Sequence, residues 1–196
     1  MMASLLYGLG VIFLLLVVII LIYNRLVALR EQCKNAFSQI DIQLKRRYDL
    51  IPNLVEVAKK YMSHERESLE AVIAARNQAV RATNLASERL DAGQLASLNQ
   101  ADQALSAGLG RLLAVSEAYP DLKADAQMIE LSREIESTES RIAFAKQAFN
   151  DCVMEYNTKL GSVPSNIIGG AFGFTEMQLF VAIEDKKERE AVRVSF

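Results

Sequence analysis

The sequence has no tryptophan, one histidine, two cysteines and three prolines, and no charged side chain precedes Arg25. Each scarcity removes a class of explanation. With His64 as the sole histidine, no His-Glu-x-x-His or Glu-x-x-His spacing exists, and the cysteines are not paired, so zinc and di-metal centres lack their ligands. A net charge of −2 with mixed signs leaves no basic field for nucleic acid. Strand signals are nearly absent before the C-terminal tail, and with so few prolines the soluble part is expected to be helical. Cys33 and Cys152 both fall at apolar helical positions. They read as buried free thiols, or alternatively as one bridge between the first and last helices in an oxidising compartment.

The uncharged start contains "LLYGLGVIFLLLVVIILIY", Leu5 to Tyr23, which spans ~28 Å as a helix, close to the hydrocarbon thickness of a bilayer. Leu5, Leu14, Ile20 and Tyr23 mark this expected membrane anchor. A cleaved signal peptide fits less well: no Lys or Arg precedes the run, the run is too long, and "YNRLVALRE" offers no small-x-small site. Arg25, Arg30 and Lys34 follow it, so the positive-inside rule places the N-terminus outside and the remainder in the cytoplasm. The opposite orientation stays open, because Glu31 lies there too and a short N-terminal tail translocates easily.

Beyond the anchor, Leu26, Leu29, Cys33, Phe37, Ile40, Leu44, Tyr48 and Ile51 recur every three or four residues, one apolar stripe with nothing to break it from Tyr23. Pro52 lacks an amide donor and restricts Ile51, and Asn53 with Glu56 has capping-box spacing. "DLIPN" is therefore expected to be a tight corner between antiparallel helices, the second starting at Asn53. Thr83–Gly93 reads as a loop, Gln94–Glu117 as a third helix, and "AYPDLKAD" as its end. Met128, Leu131, Ile135, Thr138, Ile142, Ala145, Phe149, Val153, Tyr156 and Leu160 form the stripe of a fourth helix, stopped by Gly161 and Pro164. The expectation is an all-α fold, a transmembrane helix continuous with an antiparallel up-and-down four-helix bundle. Its parts would be an anchor (1–24), a bundle (25–161), and a Gly-rich apolar segment with a charged tail (162–196). The fourth helix at ~58 Å would overhang a first soluble segment of ~37 Å.

No chemistry emerges from the remaining motifs. "GLG" at Gly8 lies in the anchor and "GLG" at Gly108 has no following lysine, so neither is a phosphate loop. His64 beside Glu65 reads as a surface pair. An enzyme, a cofactor and a metal are therefore not expected. A polar set remains: Arg46, Arg47, Asp49, Pro52 and Asn53 at the corner, with Glu139, Arg141, Asn150 and Asn157 on the last helix. These are either solvated faces or cross-helix contacts that fix register. Ile167, Ile168, Phe172 and Phe174 form a membrane-proximal tail, which either closes the bundle end or acts as an interfacial or subunit-bridging segment. The terminal Val194-Ser195-Phe196 has the form of a peptide for β-augmentation.

"YNRLVALREQCKNAFSQIDIQLKRRYDLIPNLVEVAKKY", "HERESLEAVIAARNQA" and "YPDLKADAQMIELSREIESTESRIAFAKQAFNDCVMEYN" resemble the LemA family of bacterial membrane proteins over nearly the whole chain. The resemblance implies an N-terminal anchor, an antiparallel helical bundle and a bacterial inner-membrane setting, with no enzymatic activity or cofactor attached. Departures are mild: Phe37, Phe149 and Val163 stand where relatives commonly have Trp, Tyr and Phe. The expected function is a non-enzymatic homo-oligomeric scaffold that organises or shapes membrane, with the lipid bilayer and further copies as partners. The alternative is a membrane-tethered adaptor offering its distal tip to another envelope protein.

Overall fold

A computed structural model describes residues 2–180, the side chains of residues 3–5 excepted. The readings placed on Leu5 as a side chain and on the charged C-terminal stretch, Val194–Phe196 included, fall outside the described residues. Six helices follow one another: α1 (Met2–Tyr61), α2 (Arg66–Glu88), α3 (Ala92–Ser116), α4 (Pro120–Lys123), α5 (Ala126–Gly161) and α6 (Ser165–Ala171). No strand occurs among the described residues. α1 packs along α5 and against α2, and α2 against α3, giving an up-and-down helical bundle continued from the apolar N-terminal helix.

The continuity of anchor and bundle is real and extends further than expected. α1 runs unbroken for 60 residues, ~90 Å at the standard rise, with Pro52 inside it. The expected corner at Asp49–Asn53 is thus corrected. Proline removes the hydrogen bond that residue 52 would give to the carbonyl of Tyr48. A side chain from α2 supplies the missing donor: Arg76 Nε reaches Tyr48 O at 3.1 Å. Asn53 caps nothing, is exposed, and its side chain has no hydrogen bond among the described residues. The turn falls instead at Met62–Glu65, where Met62 N bonds Ala58 O and Glu65 N bonds Met62 O at 2.9 and 3.1 Å.

The loop expected over Thr83–Gly93 is likewise shorter, Arg89–Asp91 alone. α2 continues to Glu88 because Ala79, Ala82, Thr83 and Ala86 extend its buried face with small residues. Thr83 Oγ1 bonds Ala79 O at 3.0 Å and meets the Tyr48 hydroxyl at 2.8 Å. Asp91 then caps α3 by accepting from Gln94 N, and Asp125 caps α5 by accepting from Gln127 N and Met128 N.

Every residue of the first expected stripe, Leu26 through Ile51, is buried, and so is the α5 stripe except the half-buried Leu131 and Ala145. Phe37 and Phe149 meet edge to face at 5.8 Å between ring centroids. Each such side chain contributes ~1.5–3 kcal/mol by leaving water. The length mismatch disappears because α1 passes Pro52: from Asn24 to Tyr61 it spans ~57 Å against ~54 Å for α5. The short pair is α2 and α3, ~35 and ~38 Å. Their connection, Ser87–Ala92, lies beside Phe37, Ser38 and Asp41 of α1. Towards the apolar end the bundle therefore loses two helices, and α6 with the segment after it covers the exposed flank of α1 and α5.

Candidate functional site

The middle of the bundle holds a buried charge cluster. Arg47 on α1 is 1% exposed; its Nη1 lies 3.3 Å from Asp102 Oδ1 on α3 and its Nη2 donates to Ser106 Oγ at 2.9 Å. Lys146 on α5 donates to the other carboxylate oxygen, Asp102 Oδ2, at 2.7 Å. One carboxylate thus ties three helices together, while Arg47 Nε has no partner. Such a cluster fixes helix register, and the desolvation of its charges offsets much of their attraction. The sequence reading named Arg47 but missed Asp102. The available signal was its position: Leu95, Leu98, Asn99, Ala101, Asp102 and Leu105 form the buried stripe of α3. Beside the cluster, burial pushes the Tyr48 hydroxyl up to about 12, and closer to the apolar segment burial pushes the Cys33 thiol up to about 11. Cys33 therefore stays a thiol at neutral pH. Both cysteines are free, so the bridge between first and last helices is not formed.

The second construction is a ladder between α5 and the segment that follows α6. Asn157 donates to Met177 O at 2.8 Å and accepts from Met177 N at 3.0 Å. Asn150 does the same with Phe180 O and N, at 3.1 and 2.7 Å. Seven helical residues rise ~10.5 Å, and three extended residues cover ~10 Å, so the two amides meet the same extended segment in step. The Tyr156 hydroxyl adds a bond to Thr175 O at 2.9 Å, and Lys146 Nζ sits 4.7 Å from the Phe180 ring centroid. Asn150 and Asn157 thus hold backbone of the segment after α6 and bridge no helices.

Near the end of the apolar run, Tyr23 stacks edge-on against Phe172 and Phe174, at 5.1 and 5.6 Å between centroids. Ile168 is half-buried, whereas Ile167 and Phe172 are exposed. Leu14 and Ile20 of the anchor are exposed along with almost all of their neighbours. Among the other expected positions, Arg46 pairs with Glu134 of α5 at 2.7 Å. Asp49, Glu139 and Arg141 are exposed, and their side chains make no hydrogen bond or ion pair among the described residues. Of the two arginines, Arg46 is the one that reaches a carboxylate on another helix among the described residues. His64 is exposed in the turn after α1. No group of three or more metal-ligating side chains occurs among the described residues. At the same distal end, a groove of about 850 Å³ runs between the last turns of α1 and the first of α2, lined by Val55, Met62, Leu69 and Ile73 with Glu56 and Arg66.

This architecture agrees with the match of residues 36–196 to the LemA family. The chain belongs to the LemA family. This LemA-family chain is also similar to magnetosome protein MamQ of Magnetospirillum gryphiswaldense, 25% identical over 174 residues, which covers 81% of this chain and 64% of the relative. Magnetosome proteins MamQ 1 and MamQ 2 of Paramagnetospirillum magneticum are 26% identical with the same coverage. The chain thus spans 64% of the length of these relatives. Family membership and the exposed apolar length of α1 together make it a membrane-associated protein.

Proposed function

We propose that this protein is a non-enzymatic scaffold, held by α1 in the bacterial inner membrane with its bundle in the cytoplasm, whose copies pack side by side to organise the bilayer. One observation carries this reading: large apolar side chains stand exposed on the outer face of α5. Ile129, Phe144 and Met154 are exposed. At 100° per residue they fall within a sector of about 80°, opposite the buried stripe, and extend over ~37 Å. They stand among Arg133, Glu136, Ser140, Gln147 and Asp151 of the same sector, and a neighbouring copy would cover Phe144, which is 72% exposed. The rod geometry supports the same reading, since copies joined along α5 would hold their anchors at a fixed spacing. No role is carried over from the magnetosome relatives.

The test is the mass of the detergent-extracted protein by light scattering, with particle images beside it. The proposal expects a multiple of the chain mass for the native protein and a smaller species for Phe144→Glu at unchanged helix content. A native protein that stays monomeric at high concentration overturns it. The distal groove supports a second reading, an adaptor for another envelope protein, because its apolar floor and charged rim suit a helix or loop. A photocrosslinker placed at Ser63 in cells that captured only further copies of the chain would speak against that adaptor.

A further inference from the structure

The segment Val163–Phe172 carries large apolar side chains that none of the described residues covers. Val163 is 79% exposed, Ile167 69% and Phe172 57%. Within α6 the usual arrangement is inverted. Ser165 and Gly169, four apart on one face, are the buried residues, whereas Ile167, some 200° from each, faces outward. A helix that turns serine and glycine inward and isoleucine outward is adapted to surroundings other than water. Composition agrees, for no charged residue occurs from Ser162 to Thr175.

Position identifies those surroundings. Tyr23 closes the apolar run of α1 and packs on Phe172 and Phe174, so α6 sits within a turn or so of the point where α1 becomes charged. Two glycines allow this placement. A Cβ on Gly169 would lie 2.4 Å from Leu160 Cδ1, so any larger residue there would make the Leu160 side chain shift, and glycine lets α6 close onto α5 and α1 with that side chain in place. Gly173, at φ +72°, then turns the chain back along α5 into the asparagine ladder. Arg25, paired with Glu155 at 2.7 Å, and Lys159 lie in the adjoining turns, at the height of lipid headgroups.

We propose that Val163–Phe172 is an interfacial foot: it lies in the plane of the leaflet from which α1 emerges, with Val163, Ile167 and Phe172 inserted among headgroups and upper acyl chains. Insertion to ~5–10 Å is typical of such in-plane segments. The occupant is the bilayer rather than a second copy because the patch is continuous with the lipid-facing surface of α1 through Tyr23. The protein then touches lipid at two points, a crossing helix and a lateral foot, and the pair sets the tilt of the rod. This inference is independent of whether copies associate along α5.

The absence of tryptophan makes the test direct. Phe172→Trp and Ile167→Trp each place one reporter in the foot of the full-length protein, and Phe144→Trp places one on α5 ~24 Å from the Leu160 level. Each variant is reconstituted into phosphatidylcholine vesicles with or without brominated acyl chains. The foot reporters are expected to emit to the blue and to lose about half of their emission or more on bromination, as the depth of an interfacial segment requires, while Phe144→Trp is unaffected. Blue emission without quenching would mean that protein, such as a second copy, covers the patch, and would overturn the proposal. Red, unquenched emission would show a foot in water and overturn it equally.

Discussion

At the scale of the residue, the energetics of the protein turn on a few polar groups set among apolar ones. Asp102 is the shared partner of Arg47 and Lys146, so removing it leaves a guanidinium that is 1% exposed without a countercharge. Asp102→Ala is expected to destabilise the bundle by about 3–5 kcal/mol, as breaking one side of a buried pair does. The double variant Arg47→Met/Asp102→Leu is expected to recover most of that loss, which chemical denaturation of the detergent-solubilised protein would measure. At the distal end, Asp125 lies below its ordinary value of 3.8, first because the Tyr61 hydroxyl donates to it and then because the amides of Met128 and Gln127 do. A depressed carboxyl pKa adds stability above the ordinary value and loses it as pH falls through the lower, folded one. Asp125→Ala should therefore melt earlier than the native chain at neutral pH, with the gap closing below pH 3.8. A gap that persisted in strong acid would mean that the carboxylate charge is not what holds the turn. Arg47 and the asparagines were legible in the sequence as polar residues on helices, but their partners were not. Asn150 and Asn157 bind backbone atoms of Phe180 and Met177, and backbone leaves no trace in side-chain pattern.

At the scale of the element, periodicity revealed the apolar faces of α1 and α5 almost residue for residue, because a 3.6-residue repeat is written directly in the chain. It failed at Pro52, where a strong local rule met a tertiary answer. The rule is that proline orphans the carbonyl four residues back. The answer is Arg76, 24 residues later on another helix, which no local window contains. If this account is right, the two residues are coupled. Arg76→Leu leaves Tyr48 O unpaired and should cost about 1–3 kcal/mol. In a Pro52→Ala background residue 52 regains its amide, and the same change should cost much less. A double-mutant cycle reads the difference as an interaction energy. Equal costs in both backgrounds would show that Arg76 acts through packing alone. The same blindness to tertiary context shortened α2 in the sequence reading: Ala79, Ala82 and Ala86 bury a face too small to register as hydrophobic.

At the scale of the whole molecule, the division of labour along α1 decides what can be removed. The buried core begins at Leu26, and the apolar run before it is exposed almost throughout, so it contributes contact with lipid and little to the bundle. A chain starting at Asn24 should therefore keep its fold, with a cooperative thermal transition by circular dichroism and loss only of the helix belonging to the deleted residues. It forfeits the edge-on contacts of Tyr23 with Phe172 and Phe174, which loosens the foot without unfolding α1 against α5. Light scattering then separates two sources of assembly. If the outer face of α5 around Phe144 suffices, the shortened chain remains a multiple of its own mass and Phe144→Glu reduces it to one copy. If the shortened chain is already monomeric while the full protein is large, the apolar segment before Asn24 supplies the missing association, and the α5 face does not suffice alone. A shortened chain without a cooperative transition would overturn the premise itself, because α1 would then owe its structure to a segment that meets the bundle only in its last turn, at Ile22 and Tyr23.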